Sequence, residues 1–455
     1  MINILEYFDD TVRKYPDRIA IIDGDRQMTF EELNYLVNCY SFSLKKYHNK
    51  PIAVLLPKFE CIIADLAIIR SGNFYMNLDV KSPKARIDNI LNEIKPALVI
   101  SDLNNITGDI EFNEVTNIDT DPLCIINTSG STGTPKGVVL NHRSFINFTE
   151  WAYDTFSFEN EIIGSLSPVV FDIFSFELCM MMRGSTIKIL PDATFPADLL
   201  NAMVDITFIF WVPTIMVNIA NMDLLSRIHL NLKTVWFAGE VFPTKQFNYW
   251  RKHLPVLYVN LYGPIEITLD CTYFIVDREL KDDEPIPIGR PCRNTDILIL
   301  DKDELSDEGE LCVRGTSLAM GYYNNPKKTS EVFVQNPLNT SYPEIIYRTG
   351  DYVSTNERGE LIFKGRRDTM IKHLGYRIEL AEIEHTIINV LKLVDNGCAV
   401  YNKEIVFYYE SSKEIKRSEI ISVLPKYMIP TKFIRMDQLP RNINGKIDRL
   451  MLCNL

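Results

Sequence analysis

An α/β fold class is predicted for this chain, a large N-terminal domain of αβ-layered sheets with a small β-rich module, followed by a small mobile α+β C-terminal domain. Three observations carry the prediction. Short apolar runs alternate with segments of helical period as far as Val276, glycine-punctuated strands follow Ile286, and helix and strand patterns resume from Thr369. At 455 residues the chain also exceeds what a single hydrophobic core organises.

The first hundred residues set the alternation. "IAII", "IAVLL", "FYMNL" and "ALVIS" read as buried strands, because short apolar runs bounded by polar turns suit a sheet covered on both faces. Phe30 to Lys46, Phe59 to Ser71 and Lys84 to Lys95 read as the helices between them. The same pattern recurs from Leu123 to about Val276. Beyond it, "IPIGRP", "ILILD", "GELCVRG" and "GELIFKG" read as short strands with glycine turns. Glu379 to Leu393 reads as a helix. The charged turn "GRRD", Gly365 to Asp368, marks the boundary, giving domains 1–366 and 367–455.

The formal charge of −12 opposes a nucleic-acid partner, since neutralising a phosphate backbone takes a basic surface. The charge is uneven, +3 from Thr369 onward and −15 before it. Nine scattered cysteines form no CxxC pair and read as reduced core residues of a cytoplasmic protein. The opening "MINILEYFDD" is acidic where a signal peptide would be basic. The most apolar window, Ile206 to Met222, is too short for a bilayer and holds Pro213, so no membrane partner is expected.

The chemistry concentrates in "NTSGSTGTPKGVVL", residues 127 to 140. Hydroxyl residues, three glycines and a lysine between apolar runs suit a loop that wraps a polyphosphate. It is not a P-loop: Pro135 precedes Lys136, and proline lacks the N–H that a P-loop donates at that position.

"TSGSTGTPKG" resembles the signature of the adenylate-forming superfamily, and within it the amino-acid adenylation domains of nonribosomal peptide synthesis. Support extends over nearly the whole chain: "MTFEEL" (28–33), "SPKARI" (82–87), "NLYGPIEIT" (260–268), "GELCVRGTSLAMGYYNNP" (309–326), "YRTGD" (347–351), "GRRDTMIKHLGYRIELAEIE" (365–384), "LPKYMIP" (424–430) and "NGKIDR" (444–449) follow in the family's order. The resemblance implies an enzyme in which a carboxylate attacks the α-phosphate of ATP with Mg²⁺ as cofactor, after which a thiol attacks the acyl-adenylate. Both steps develop charge, so cations and donors must stand where it appears.

Residue by residue, the resemblance implies that Thr128 and Ser129, with Gly130, Ser131, Thr132, Gly133 and Lys136, hold the β- and γ-phosphates. Asn260 reads the adenine amino group, Tyr262 stacks on the ring, and Glu266 binds Mg²⁺ as a hard oxygen ligand. Gly239, Glu240, Leu261, Gly263, Pro264, Ile265 and Phe363 fall at further nucleotide-binding positions. Asp351 accepts from the ribose hydroxyls, and Arg366 approaches the ribose or the phosphates. Lys446 matches the catalytic lysine that bridges substrate carboxylate and α-phosphate, and Asp368 matches the hinge about which the C-terminal domain swings. Two positions depart from the pattern: Ile265 replaces a usual Thr, and Met370 a common Gln.

In "FDIFSFE", Asp172 matches the residue that pairs with a substrate α-ammonium, which implies an amino acid; without that cation a buried carboxylate would be costly. Ile173, Phe176, Phe210 and Trp236 fall at the remaining pocket positions with Ala238, Leu261, Leu269 and Asp270. Three large rings imply a small side chain, proline, serine or alanine, with Asp270 resembling a serine-type acceptor. The chain ends nine residues beyond Lys446, so a separate phosphopantetheinylated carrier protein is expected as acceptor. A D-alanine–carrier protein ligase of cell-wall modification shares these motifs, and a nucleotide-binding interaction module with impaired chemistry is a third reading, motivated by Ile265. Chirality and any small activating partner protein stay open.

Overall fold

A computed structural model describes residues 3–105, 117–128, 135–192, 195–366, 370–394, 396–411, 413–441 and 447–455. The chain forms two compact units. One comprises Met1–Val80, Pro96–Ile126 and Val138–Gly365, and the other Lys81–Lys95, Asn127–Gly137 and Arg366–Leu455.

The first unit is the expected α/β body. Its largest sheet has nine strands in the order Arg290–Pro291, Thr272–Ile275, Leu257–Tyr262, Thr234–Phe237, Phe208–Trp211, Ile162–Ser165, Thr186–Ile189, Ile19–Asp23 and Arg26–Thr29. The central neighbours pair parallel and both ends antiparallel. Phe208–Trp211 is buried at every position, which is why its sequence runs apolar without alternation. Only Arg290–Pro291 of "IPIGRP" joins the sheet.

A second sheet orders Gly321–Tyr322, Lys136–Asn141, Pro122–Thr128, Phe74–Asn77, Pro51–Val54 and Leu98–Ile100. The "MTFEEL" signature proves to be a capping box: the Thr29 side chain accepts from Glu32 N at 3.2 Å, and the Glu32 carboxylate accepts from Thr29 N at 2.8 Å, starting helix Phe30–Leu44. The β-rich module is a third sheet built on Thr295–Asp301, Glu308–Gly315 and Ile345–Thr355.

The second unit is α+β. A hairpin, Met370–His373 with Tyr376–Glu379, and a three-stranded sheet, Asn396–Asn402, Glu404–Glu410 and Lys432–Arg435, share a core that includes Ile378, Ile383, Ala399 and Phe407. The helix expected over Glu379 to Leu393 is shorter. Strand pairing retains Glu379, the α-helix covers Leu380–His385, and a π turn takes Thr386–Val390. Arg86 and Glu382, both nearly buried, form a 2.7 Å ion pair in this unit.

All nine cysteines are free thiols and seven are buried. Among the described residues no helix is long and apolar enough to cross a membrane.

Helix His142–Phe156 carries a testable pH dependence. Asn141 caps it by accepting from Ser144 N at 2.9 Å, and buried His142 accepts from Ile4 N at 3.3 Å through Nδ1. Burial pulls the imidazole down to about 4, against the opposing charge of Asp119. A depressed folded value means that the neutral ring contributes stability above the ordinary 6.5, and that this is lost as pH falls through 4. About 3 kcal/mol is at stake, from a fall from 6.5 to about 4 at about 1.36 kcal/mol per pH unit. Urea unfolding at several pH values should show this loss in the wild type and a correspondingly smaller one in His142→Asn.

Candidate active site

Strand Leu257–Tyr262 positions two sets of side chains through its period of two. Asn260 and Tyr262 project to one face, and Leu261 to the other. Asn260 Nδ2 donates to Pro287 O at 2.7 Å, which fixes the amide plane. The Tyr262 hydroxyl donates to the Asp351 carboxylate, and the Tyr262 and Phe363 rings lie 6.1 Å apart at 38°. Burial, with the Asp351 charge next in effect, holds the phenol well above its ordinary value, so it stays a donor. Tyr262, Asp351 and Phe363 thus form one local group drawn from three strands, with Asn260 two residues before Tyr262 on the same strand face.

The turn after this strand requires glycine at its first position. A Cβ on Gly263 would lie 2.2 Å from Leu269 O and 2.5 Å from Asp270 Cα, both backbone atoms that cannot yield cheaply. Pro264 then leads into the 3₁₀ turn Ile265–Ile267, which places Glu266 fully inside the protein. Ile265 is half-buried and packs against the main core, so its apolar side chain is used in folding. Gly239, at φ +90°, allows the chain to turn after Thr234–Phe237. Glu240 then accepts from Thr214 N at 2.9 Å and Thr214 Oγ1 at 2.6 Å, tying that turn to the start of helix Pro213–Asn221.

Asp172 is the first residue of helix Asp172–Met182, where the positive end of the helix dipole favours a carboxylate. Its Oδ1 accepts from Ile173 N at 3.0 Å and its Oδ2 from Leu269 N at 3.2 Å. Thr268 and Leu269 have φ values of +50° and +64°, left-handed conformations that cost non-glycine residues about 1–3 kcal/mol each. The Thr268 hydroxyl donates to Ser144 Oγ at 3.0 Å, and the Asp172 bond holds Leu269.

Ile173, Phe176, Phe210, Trp236, Ala238, Leu261 and Leu269 belong to one buried cluster, and Asp270 is buried beside Leu269. Phe176 and Trp236 stack at 5.4 Å and 5°. Trp236 is ringed further by Phe148, Trp151, Phe156, Phe158, Phe208 and Phe210, with centroids 5.0 to 6.3 Å away. Such pairs hold one another by about 0.5–1.5 kcal/mol beyond area burial. The four rings from Phe148 to Phe158 were not singled out in the sequence.

Thr128 ends strand Pro122–Thr128, and its Oγ1, with both amide atoms of Asn127, is buried without a hydrogen-bond partner among the described residues. Unsatisfied buried polar atoms are expensive, so their retention suits a segment that meets a polar ligand. Lys136 opens strand Lys136–Asn141 and Arg366 closes strand Leu361–Arg366. Ser129, Gly130, Ser131, Thr132, Gly133, Asp368 and Lys446 lie outside the described residues. Met370 is buried in the hairpin.

Among the described residues no three His, Cys, Asp or Glu side chains cluster as a metal cage. One buried carboxylate, Glu266, still fits Mg²⁺, which takes one or two protein oxygens and completes its shell with phosphate and water.

Residues 8–323 match the family model described as "AMP-binding enzyme". Gramicidin S synthase 1 of Brevibacillus brevis is 29% identical over 99% of this chain, and the match spans only 44% of that relative. The solved structure of NpsA-ThdA, an artificially fused Adenylation-PCP di-domain NRPS from Klebsiella oxytoca, superposes with a TM-score of 0.85 at 21% identity, covering 96% of this chain and 94% of that one. The Vibrio cholerae adenylation domain AlmE, solved with glycyl-adenosine-5'-phosphate, gives a TM-score of 0.85 at 20% identity, covering 100% and 97%.

Proposed function

This chain belongs to the AMP-binding enzyme family, and from that premise we propose that it activates a small α-amino acid as aminoacyl-AMP, with release of pyrophosphate, and passes it to the phosphopantetheine thiol of a carrier protein. The observation that carries the amino-acid reading is Asp172. It stands at a helix N-terminus next to a buried cluster that is almost entirely apolar, and we read its carboxylate as the partner of a cationic substrate group. The ring packing around Trp236 carries the size limit, since a bulky side chain would have to displace mutually stacked aromatics.

In this reading Tyr262 and Phe363 offer ring faces to the adenine, Asn260 reads its edge, and Asp351 takes the ribose. Tyr262 already holds the Asp351 carboxylate in place. Thr128 and the hydroxyl-rich segment after it bind the phosphates. Glu266 would hold Mg²⁺, which when bound would supply neutralisation of the phosphate charge. Lys446 supplies a point charge between the attacking carboxylate and the α-phosphate, and Asp368 serves as the pivot that brings the C-terminal domain round for thiol attack.

Proline, serine and alanine are the proposed substrates. A pyrophosphate-exchange screen over all common amino acids should rank these three above leucine, phenylalanine and arginine. A preference for a large aromatic or long cationic amino acid would show that the pocket assignment is wrong. Asp270 separates the candidates, because a serine hydroxyl can donate to its carboxylate and proline has no side-chain donor.

A further inference from the structure

The segment just before "YNNP" grips Glu266 at two points. Ala319 N donates to the Glu266 backbone oxygen at 2.9 Å, and the Tyr322 hydroxyl donates to Glu266 Oε1 at 2.7 Å. Both side chains are buried, and 56 residues separate them in sequence.

The grip is itself anchored. Gly321 and Tyr322 pair antiparallel with Val139 and Val138, Met320 N donates to Val139 O at 2.9 Å, and Tyr322 N donates to Thr329 Oγ1 at 2.9 Å. Gly321 sits at φ +116°, and a Cβ there would meet Thr329 Cγ2 at 2.6 Å, so this approach excludes other residues. The Tyr322 ring meets Phe333 edge-on at 6.3 Å. Its oxygen therefore has little freedom to move away from the carboxylate.

We propose that Tyr322 is a positioning residue for the metal: its hydroxyl fixes the Glu266 carboxylate in the orientation from which it ligates Mg²⁺, an inference that rests on the metal-binding reading of Glu266. A carboxylate offers about four lone-pair sites, so one phenolic donor and one cation are compatible on the same group. Partners one shell out from a metal typically tune its affinity 10–100-fold by orienting the ligand.

The test is Tyr322→Phe, which keeps the ring and the strand pairing and removes only the hydroxyl. Binding of Mn²⁺ in the presence of a non-hydrolysable ATP analogue, followed by EPR, should weaken about 10-fold. The Mg²⁺ concentration that half-saturates pyrophosphate exchange should rise by a similar factor, with the rate at saturating Mg²⁺ restored. Unchanged Mn²⁺ affinity, or a rate loss that Mg²⁺ cannot restore, overturns the proposal. Glu266→Gln separates the two readings. If it too leaves Mn²⁺ affinity unchanged, the metal role of Glu266 fails. If it weakens Mn²⁺ while Tyr322→Phe does not, only the role of Tyr322 fails. In the Glu266→Gln background, Tyr322→Phe should cause no further loss of affinity, and an additive loss counts against the coupling.

Discussion

Lys446→Ala is expected to slow amino-acid-dependent pyrophosphate exchange by at least about 10²–10³-fold, the scale set by removing a main electrostatic stabiliser of a developing charge. The proposed role requires a cation at the α-phosphate during adenylate formation and a different arrangement during thiol attack. Thioester formation from supplied aminoacyl-adenylate should therefore be nearly unaffected. Single-turnover transfer to a phosphopantetheinylated carrier protein, measured beside exchange, gives both numbers on one preparation. Equal losses in the two half-reactions would mean that the lysine acts throughout, and the two-arrangement account would be wrong. Lys446→Arg should recover little, because a planar guanidinium does not reproduce a compact charge on a flexible stem.

What the sequence revealed was governed by locality. The helix read from periodicity at Phe30 starts where expected, because its capping box, Thr29 with Glu32, spans only four residues and does not depend on the rest of the fold. The continuous apolar character of Phe208–Trp211 likewise follows from burial on both faces. Asn260, Leu261 and Tyr262 were picked out by resemblance alone, and the structure adds that the strand's period of two turns Leu261 to the face opposite Asn260 and Tyr262.

Long-range closure was not legible. Phe148, Trp151, Phe156 and Phe158 give no local sign that they will surround Trp236, because that arrangement depends on how helix His142–Phe156 packs against the sheet. The bond from Tyr322 to Glu266 needs the pairing of Gly321–Tyr322 with Val138–Val139 before the two side chains can meet. The missed end of the Glu379 to Leu393 helix has a similar cause. Apolar residues at helical spacing continue, but pairing in the hairpin claims Glu379 and the π turn at Thr386–Val390 shifts the register.

Replacing Asp172 by asparagine should lower kcat/KM for the amino acid by about 10²-fold or more, since removing one partner of a buried charge pair costs about 3–5 kcal/mol. Asparagine is the informative substitution because its single side-chain oxygen can keep the bond from Leu269 N, although the second acceptor, which takes Ile173 N, is lost. The left-handed conformation at Leu269 can then survive while the negative charge is lost. Affinity for a non-hydrolysable ATP analogue and the urea midpoint should stay near those of the wild type. The decisive quantity is the ratio of kcat/KM for the amino acid to that for its des-amino analogue. A carboxylate that recognises ammonium makes that ratio large in the wild type, and Asp172→Asn should collapse it toward one by lowering the numerator. A ratio unchanged by the substitution would place the ammonium elsewhere and leave Asp172 as a backbone clamp for Leu269.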